Sequence, residues 1–503
     1  MTQYSFGNTN PAAQGVPDLY INIQTPPAAS LPGAPSTMAA FVGTATWGPV
    51  NSPVFFGDLA GGAAAFGTMQ PRKYDLLTGV AAAVMQGANS FCGVRVTDGT
   101  DAAATIIVQS TCITLTAKYT GSRGNSLQAT IATGSAPSSF KITLTLPGLP
   151  PETFDNITGS GNALWVAMAA AINSGQSVAR GPSNLVVATA GAGTTAPTLA
   201  TVTLSGGIDG ATTITSTVLI GADTGTRTGM YALRGTGAAV FALNDNDTST
   251  SWTTQLAFAK SELMECFAVD VANDTISTFT TTMTTAAIDD PYIKVCYGDW
   301  PLFVDGVNNV NRYISPQGYL MGAKVAAGPA NSILNRPLYG VAGTQKSALN
   351  QTYSTADLQA LAASRGEVIA APSVGGAYFS ARFGRNSSSD PGRHGDQFTT
   401  LTNYLARSMG QGLGAFVGRL LTPTEMREAQ NAIGAFLENE KQAGRIQGYS
   451  VQVNAANNPS SLTNLGIQTA TVMVQYFSVV EYFAVNFTGG QTVVPASAQP
   501  LAA

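Results

Sequence analysis

The chain has 503 residues, of which 10% are charged, and its formal net charge at pH 7 is −4. Because a single core rarely extends beyond roughly 250–300 residues, we expect several domains. Soluble domains carry about 25% charged residues. The low share of charged residues therefore favours a surface that is buried against neighbouring molecules, since uncharged side chains lose less free energy on desolvation. The acidic balance, without any cluster of Lys and Arg, excludes nucleic acid as the main partner.

The sequence contains no segment that indicates export or a membrane anchor. Its first ten residues are polar and lack the basic start and apolar core of a signal peptide. No apolar run approaches the ~18–20 residues of a membrane span. The cysteines lie far apart in apolar stretches, at Cys92, Cys112, Cys266 and Cys296. We therefore predict a soluble protein that folds in the cytoplasm, does not insert into a membrane, and buries its cysteines as free thiols.

Residues 1–36 are predicted to form an extended N-terminal arm, because six prolines interrupt them. Within the arm, Leu19, Ile21 and Ile23 alternate with polar residues, which is the period of a half-buried strand. A lone strand has no sheet of its own in such an arm. It must lie on the edge of its own domain or be donated to another copy of the chain.

The next part of the chain is predicted to be an α/β core that an inserted domain interrupts. Residues 37–99 form the first part of the core, with a helix that Asp58 caps and a second helix on which Leu76, Leu77, Val80 and Val84 share one face. Residues 100–210 become rich in Thr, Ser, Ala and Gly and contain alternating strands, which is typical of a β-rich domain. Strands are predicted at 141–146 and 201–204, and one helix at 163–172.

Helices and strands alternate again over residues 211–385, which we interpret as the remainder of the core. Strands at 265–271 and 292–297 and a capped helix at 355–364 predict a parallel or mixed sheet covered by helices. The overall fold class is therefore α/β and multidomain.

The last part of the chain is predicted to be an α+β domain followed by a second arm. Residues 386–487 contain helices at 396–410 and 423–443 and strands at 448–454 and 467–487. Residues 488–503 form a polar C-terminal arm, in which Val493 and Val494 are the candidate strand.

No residue pattern predicts catalysis, a cofactor or a metal site. The single histidine, His394, lies in a loop rich in Ser, Gly and Pro, which favours a solvated side chain over the base of a catalytic triad. One histidine and no cysteine pair exclude a histidine-based zinc site. The segment 244–249 resembles the start of a calcium loop, but the Gly and Glu that such a loop requires are absent. We interpret it as an acidic turn before a helix.

Several strings in the sequence resemble the contractile tail sheath proteins of bacteriophages. They occur in the order of that family and span most of the chain: GV at 15–16, FVGTATWGPVNSP at 41–53, AKYTGSRGN at 117–125, SGGIDG at 205–210, and the helix 423–443 with GRIQGYSVQVN after it. The segment YFSARFGR at 378–385 departs from the family's usual pattern at that place.

The resemblance implies a subtilisin-like central domain without a working triad, and a structural role instead of an enzymatic one. Sheath subunits stack as hexameric rings around a tail tube protein, and their N- and C-terminal arms add strands to sheets of adjacent subunits. The implied partners are further copies of the chain, the tube, the baseplate and the tail terminator. The implied location is the virion tail, which is assembled in the host cytoplasm and contracts to drive the tube through the host envelope.

Two readings of the charged residues on helix 423–443 stay open. Arg427, Lys441 and Arg445 stand out in a charge-poor chain, and we expect them to face the tube through weak, screened ion pairs. Alternatively, they solvate an outer helix face. For the whole protein, the alternatives are another self-assembling virion or surface-layer component and, less favoured, a hydrolase on a subtilisin-like scaffold.

Overall fold

The computed structural model describes residues 3–6, 20–23, 31, 33–487 and 489. In the N-terminal arm, strands β1 (Gln3–Phe6) and β2 (Tyr20–Ile23) pair in parallel. The strand predicted around Ile21 and Ile23 is confirmed, whereas Leu19 lies outside the described residues. The expectation that the arm has no sheet of its own is wrong, because a second strand of the same arm pairs with β2.

The first part of the core contains three strands and two helices. They are β3 (Ala39–Gly43), β4 (Pro53–Phe56), α1 (Leu59–Phe66), α2 (Leu76–Val84) and β5 (Phe91–Arg95). The cap predicted at Asp58 is confirmed, since its carboxylate accepts a hydrogen bond of 2.7 Å from the backbone N–H of Gly61. The predicted face of α2 is also confirmed, because Leu76, Leu77 and Val80 are fully buried.

Residues 102–208, which we term the insert, form two antiparallel sheets and one helix. Its elements are β6 (Ala103–Gln109), β7 (Ile113–Thr120), β8 (Gln128–Thr133), β9 (Phe140–Thr145), β10 (Glu152–Ile157), α3 (Asn162–Ser174), β11 (Val186–Ala190) and β12 (Thr201–Thr203). The strand orders are β10-β9-β8-β12 and β11-β7-β6. Buried apolar side chains of α3, Trp165 and Ile172 among them, pack with both sheets in one core.

The chain then returns to the core. The elements here are α4 (Ser216–Ile220), β13 (Val240–Leu243), α5 (Trp252–Glu262), β14 (Glu265–Val269), α6 (Ile276–Ala286), β15 (Ile293–Cys296), β16 (Pro301–Asp305), β17 (Val310–Tyr313), α7 (Gln317–Ala327), β18 (Val341–Thr344), α8 (Gln345–Ala348), α9 (Thr355–Ala363), β19 (Gly366–Glu367), β20 (Ile369–Ala370) and β21 (Ser380–Ala381).

A seven-stranded central sheet joins the two parts of the core, in the order β19-β15-β14-β13-β3-β5-β4. All neighbouring strands are parallel except β4, which pairs antiparallel with β5. Helices cover both faces, with α2 and α7 on one and α5, α6 and α9 on the other. Because both faces are covered, strands such as β3 and β13 are buried along their whole length and have continuous apolar sequences.

The C-terminal unit, residues 396–475, consists of three helices and a two-stranded ribbon. Its elements are α10 (Asp396–Leu413), α11 (Pro423–Gln442), β22 (Gly448–Gln452), α12 (Ser460–Thr463) and β23 (Thr471–Gln475). The helix predicted at 423–443 is thus confirmed, with Thr422 as its cap. The strand predicted over 467–487 is wrong beyond Gln475, because residues 476–487 form no ladder within the described part of the chain.

Two residues near the end of the N-terminal arm contact the C-terminal unit. Leu31 belongs to the hydrophobic cluster of α10 and α11, and the backbone N–H of Ala34 donates to the hydroxyl of Ser408 on α10 at 2.9 Å.

The four cysteines are buried and unpaired, as predicted. Among the described residues, no helix is both long and apolar enough to cross a membrane.

Helices α2 and α7 approach each other through small residues. A Cβ atom on Gly318 would lie 2.5 Å from the carbonyl oxygen of Gly79, and one on Gly322 would lie 2.5 Å from the Cα atom of Ala83. Both neighbours are backbone atoms, which cannot move aside without shifting a helix. This contact therefore fixes the spacing of the two helices on the central sheet.

We predict that Gly322→Leu lowers the free energy of unfolding by about 3 kcal/mol, because the added side chain overpacks a buried helix crossing. Urea denaturation of the isolated subunit measures this change. The matched control is Gly410→Ala on α10, where a Cβ meets nothing within 4 Å. There the greater helix propensity of Ala should raise stability by up to about 1 kcal/mol. Equal stabilities for Gly322→Leu and the wild type would contradict the crossing.

Candidate assembly surfaces

The only histidine of the chain is not the solvated loop residue that the sequence led us to expect. The His394 side chain is 18% exposed, and its Nε2 lies 2.9 Å from Oε1 of Glu481. Nearby, the Ser387 hydroxyl is buried and donates to the carbonyl oxygen of Arg365 at 3.1 Å. The His394 side chain therefore contacts the C-terminal segment, which the loop composition could not indicate.

The acidic turn predicted before a helix is also more buried than expected. The carboxylate of Asp245 accepts hydrogen bonds of 3.2 Å from the backbone N–H groups of Tyr74 and Ser315, so it links three segments of the core. Desolvation raises its pKa above the ordinary value. Within the part of the chain that the structure describes, no three or more His, Cys, Asp or Glu side chains are arranged to hold a metal ion.

Three of the sequence strings meet where the insert joins the core. The guanidinium of Arg95 is buried there and donates to the carbonyl oxygens of Gly48 at 2.9 Å, Thr120 at 2.6 Å and Asp209 at 3.1 Å. Asn125 donates to the carbonyl oxygen of Gly207 at 3.0 Å and accepts from its N–H at 2.7 Å. The strings thus form one hydrogen-bonded joint between insert and core.

Several glycines of this joint have backbone conformations that other residues rarely adopt. Gly121, Gly206 and Gly210 have φ angles of 126°, 86° and 63°, which favour glycine. A Cβ on Gly121 would also collide with the carbonyl oxygen of Thr46. These glycines therefore allow the tight turns and close backbone contacts of the joint between insert and core.

The residues expected to face the tube lie in two environments. Arg427 and Lys441 are exposed, and since they are about four helical turns apart they share one side of α11. Arg445 instead donates to the buried carboxylate of Glu440 at 2.8 Å and 3.0 Å, and to the Tyr404 hydroxyl at 3.4 Å. This pairing raises the pKa of Arg445.

The ribbon β22–β23 packs on the C-terminal helices with one face and leaves both outer edges unpaired among the described residues. Tyr449 and Val451 point towards the helices, whereas Met473 is 65% exposed on the other face. A surface groove of about 630 Å³ runs between β22 and α11, and Gly434 and Tyr449 are among the residues that line it. An extended segment lying in this groove would meet the free edge of β22.

The segment after the ribbon, residues 476–487, exposes an unusual number of large apolar side chains. Phe477, Val480, Tyr482, Phe483, Val485 and Phe487 are each more than half exposed. Their near-alternation explains why the sequence predicts a strand here. The strand candidates Val493 and Val494 lie outside the described residues.

A buried cluster of charges fixes α10 on the central sheet. Nζ of Lys294 on β15 lies 3.2 Å from Oδ2 of Asp396, the first residue of α10. Nζ of Lys324 on α7 lies 3.8 Å from the other oxygen of Asp396, and Glu367 lies 4.0 Å from Lys294. All four side chains are almost completely buried. Burial opposes the charge of Asp396, but the two ammonium groups outweigh it and lower its pKa.

Solved structures match this fold over most of the chain, whereas no protein-family model and no curated protein sequence matches it. The sheath tail protein of Desulfitobacterium hafniense matches with a TM-score of 0.58 and 15% identity, over 87% of this chain and 94% of that one. For the sheath tail protein of Listeria innocua the TM-score is 0.60 and the identity 12%, over 88% and 95%.

A third match is the contracted PVC sheath complex of an extracellular contractile injection system, with a TM-score of 0.55 and 11% identity over 95% of this chain and 99% of that one. The chain has the sheath fold. The resemblance inferred from the strings is thereby confirmed at the level of the fold.

Glu265 provides a test of the charge cluster, because neither of its buried oxygens has a hydrogen-bond partner in the described structure. Desolvation raises its pKa from 4.5 to about 7, against the attraction of Lys294 and Lys324. The folded state therefore keeps a proton that the unfolded carboxyl releases, and the stability that this proton confers is lost as the pH rises from about 4.5 to about 7.

We predict that Glu265→Gln, which keeps the neutral shape at every pH, becomes more stable relative to the wild type by about 3 kcal/mol over this range. Urea denaturation of both proteins between about pH 5 and pH 8 measures the difference. Glu428→Gln, on an exposed carboxylate of α11, is the control and should show no such trend. A constant difference for Glu265→Gln would contradict this reading.

Proposed function

We propose that the protein is the sheath subunit of a contractile tail or injection particle. It polymerises as stacked hexameric rings around a tail tube, contacts baseplate and terminator proteins at the two ends, and contracts to drive the tube through the host envelope. The observation that carries this proposal is the sheath fold, matched over 95% of the chain to a contracted sheath. The low share of charged residues supports it, because most of such a subunit is buried in the assembly.

The arms link the subunits by strand addition. The free edges of β22 and β23 accept extended segments from other copies, and the groove beside β22 offers one of them a seat. The donors are the N-terminal arm with Leu19, Ile21 and Ile23, and the C-terminal arm with Val493 and Val494. The apolar segment 476–487 supports this role, because exposed apolar side chains on an unpaired segment favour burial against a partner.

The exposed side of α11 contacts the tube. Arg427 and Lys441 supply separate charges on that side, whereas Glu440 already neutralises Arg445 and holds it in place. Screened surface pairs are worth ~0–1 kcal/mol each, which suits a contact that holds the tube and later releases it.

The central domain has a subtilisin-like architecture without catalytic activity. Its parallel sheet with helices on both faces supports this assignment, and the single histidine of the chain, His394, pairs with Glu481. If the protein were instead a serine hydrolase, a fluorophosphonate probe would label the purified chain. We expect no labelling.

Assembly of the purified chain tests the proposal directly. We predict hollow striated tubes by negative-stain electron microscopy for the full chain. Deletion of residues 1–30 should abolish them, and so should deletion of residues 483–503, because either change removes a donated strand but spares Leu31 and Glu481, which contact the folded body. Compact monomers of the full chain at high concentration would contradict the sheath function and favour another structural role, such as a surface-layer component.

Charge reversal tests the tube contact separately. We predict that the double change Arg427→Glu and Lys441→Glu lowers co-assembly with tubes by about tenfold at low salt, because two favourable pairs become repulsive. Co-sedimentation with purified tubes measures it. The control reverses two charges of the insert and core, Lys141→Glu and Arg227→Glu, and should leave co-sedimentation unchanged. Unchanged binding by the α11 variant would mean that these residues only solvate the helix.

A further inference from the structure

The segment that follows the ribbon passes α10 and reaches the loop before it, and it is attached at two points. The first is Tyr476, whose ring packs edge-on against Phe398 at 5.9 Å and whose hydroxyl lies 3.0 Å from that of Thr402. The second is Glu481. Its side chain is 20% exposed, although the residues around it in sequence are mostly open to solvent.

Two cationic or polar side chains hold the carboxylate of Glu481. Nε2 of His394 lies 2.9 Å from Oε1, and a guanidinium nitrogen of Arg385 contacts Oε2. The same nitrogen of Arg385 lies 3.0 Å from the Tyr482 hydroxyl. Burial opposes the charge of Arg385, but these bonds outweigh it and raise its pKa. The carboxylate is thus held through both oxygens, which fixes its orientation as well as its position.

The loop that supplies these two side chains is itself held firmly. The backbone N–H of Arg385 donates to the buried carboxylate of Glu367 at 3.2 Å. The side chain of Asn386 donates to the carbonyl oxygen of Arg393 at 2.7 Å, and its backbone N–H donates to that of His394 at 2.8 Å. Arg385 and His394 together hold Glu481, and we term them the clamp. The clamp is connected to the central sheet, because Glu367 belongs to β19.

Beyond the clamp the attachment ends. Phe483, Val485 and Phe487 are 86%, 71% and 89% exposed. Among the described residues, the boundary between the segment held by its own subunit and the segment open to solvent thus lies just after Tyr482.

We infer that Glu481 is the positioning residue that fixes the root of the C-terminal arm. Residues 476–482 stay with their own subunit, and the chain from Phe483 onwards is the length available to a neighbour. This inference rests on the proposed strand donation, and it identifies Glu481 as the residue that positions the donated strand. A fixed root lowers the ordering cost of the donated strand and raises its effective concentration at the neighbouring ribbon.

A distance measurement on the isolated subunit tests the clamp independently of assembly. Cysteines introduced by Phe483→Cys and by Thr281→Cys on α6 carry nitroxide labels, and the four native cysteines are buried and do not compete. Pulsed electron paramagnetic resonance should give one sharp distance for the wild-type background. Glu481→Gln keeps the shape but removes the charge, and the sharp distance should be lost.

Assembly gives the second measurement. The critical concentration for tube formation should rise by about tenfold in Glu481→Gln, the loss expected for one hydrogen-bonded charge pair. The swap of Arg385→Glu with Glu481→Arg restores opposite charges and should recover both the distance and the critical concentration. The control is Arg393→Gln, which breaks the exposed pair with Asp390 in the same loop and touches nothing in the arm.

A sharp distance and an unchanged critical concentration in Glu481→Gln would overturn the inference. So would a swap that restores neither quantity. If the wild type forms no tubes but Glu481→Gln still loses the sharp distance, the proposed sheath function fails while the clamp stands. If the wild type forms tubes and Glu481→Gln equals it in both measurements, only the clamp fails.

Discussion

The buried pair of Lys294 and Asp396 sets the position of α10, and both arms depend on α10. Leu31 and Ala34, where the N-terminal arm meets the body, pack on and hydrogen-bond to this helix. Tyr476, where the chain leaves the ribbon, contacts Thr402 on the same helix. A shift of α10 on the central sheet would therefore move the starting points of both arms together.

Such a pair is not an efficient way to gain stability. Removing two charges from water costs several kcal/mol for each ion, and an apolar replacement is often neutral or better. What the pair provides is a defined geometry, because Asp396 is the first residue of α10 and is held from β15 by Lys294 and from α7 by Lys324. A helix end held from two elements of the core cannot rotate freely. In the proposed sheath subunit, whose arms link neighbouring copies, this pair would keep the starting points of the arms in a fixed position.

Local structure followed from the sequence where a pattern and its cause lie in the same segment. Helix α11 and the cap at Asp58 are of this kind. The candidate sites depend on partners far along the chain. His394 and Glu481 are 87 positions apart, and Lys294 and Asp396 are 102 apart, so no spacing pattern could bring either pair together. The strand predicted at 467–487 failed beyond Gln475 for a related reason, since alternation reports a tendency to pair and does not supply the partner.

The end of the strand at Gln475 leaves the ribbon β22–β23 with only two strands. Two strands alone are marginally stable in water, and β22–β23 is supported by the helices beneath one of its faces. Its free edges would ordinarily be a hazard, because unpaired strand edges recruit other chains. Here the same chain carries apolar, alternating residues at 477–487 that find no place in their own sheet. In the proposed strand donation, the ribbon edge of one subunit and the exposed apolar segment of another are complementary, and repetition of the subunit would cover both. Since the proposed donor and acceptor are different segments of the chain, such a contact would be heterologous, and a heterologous contact extends beyond a pair of subunits.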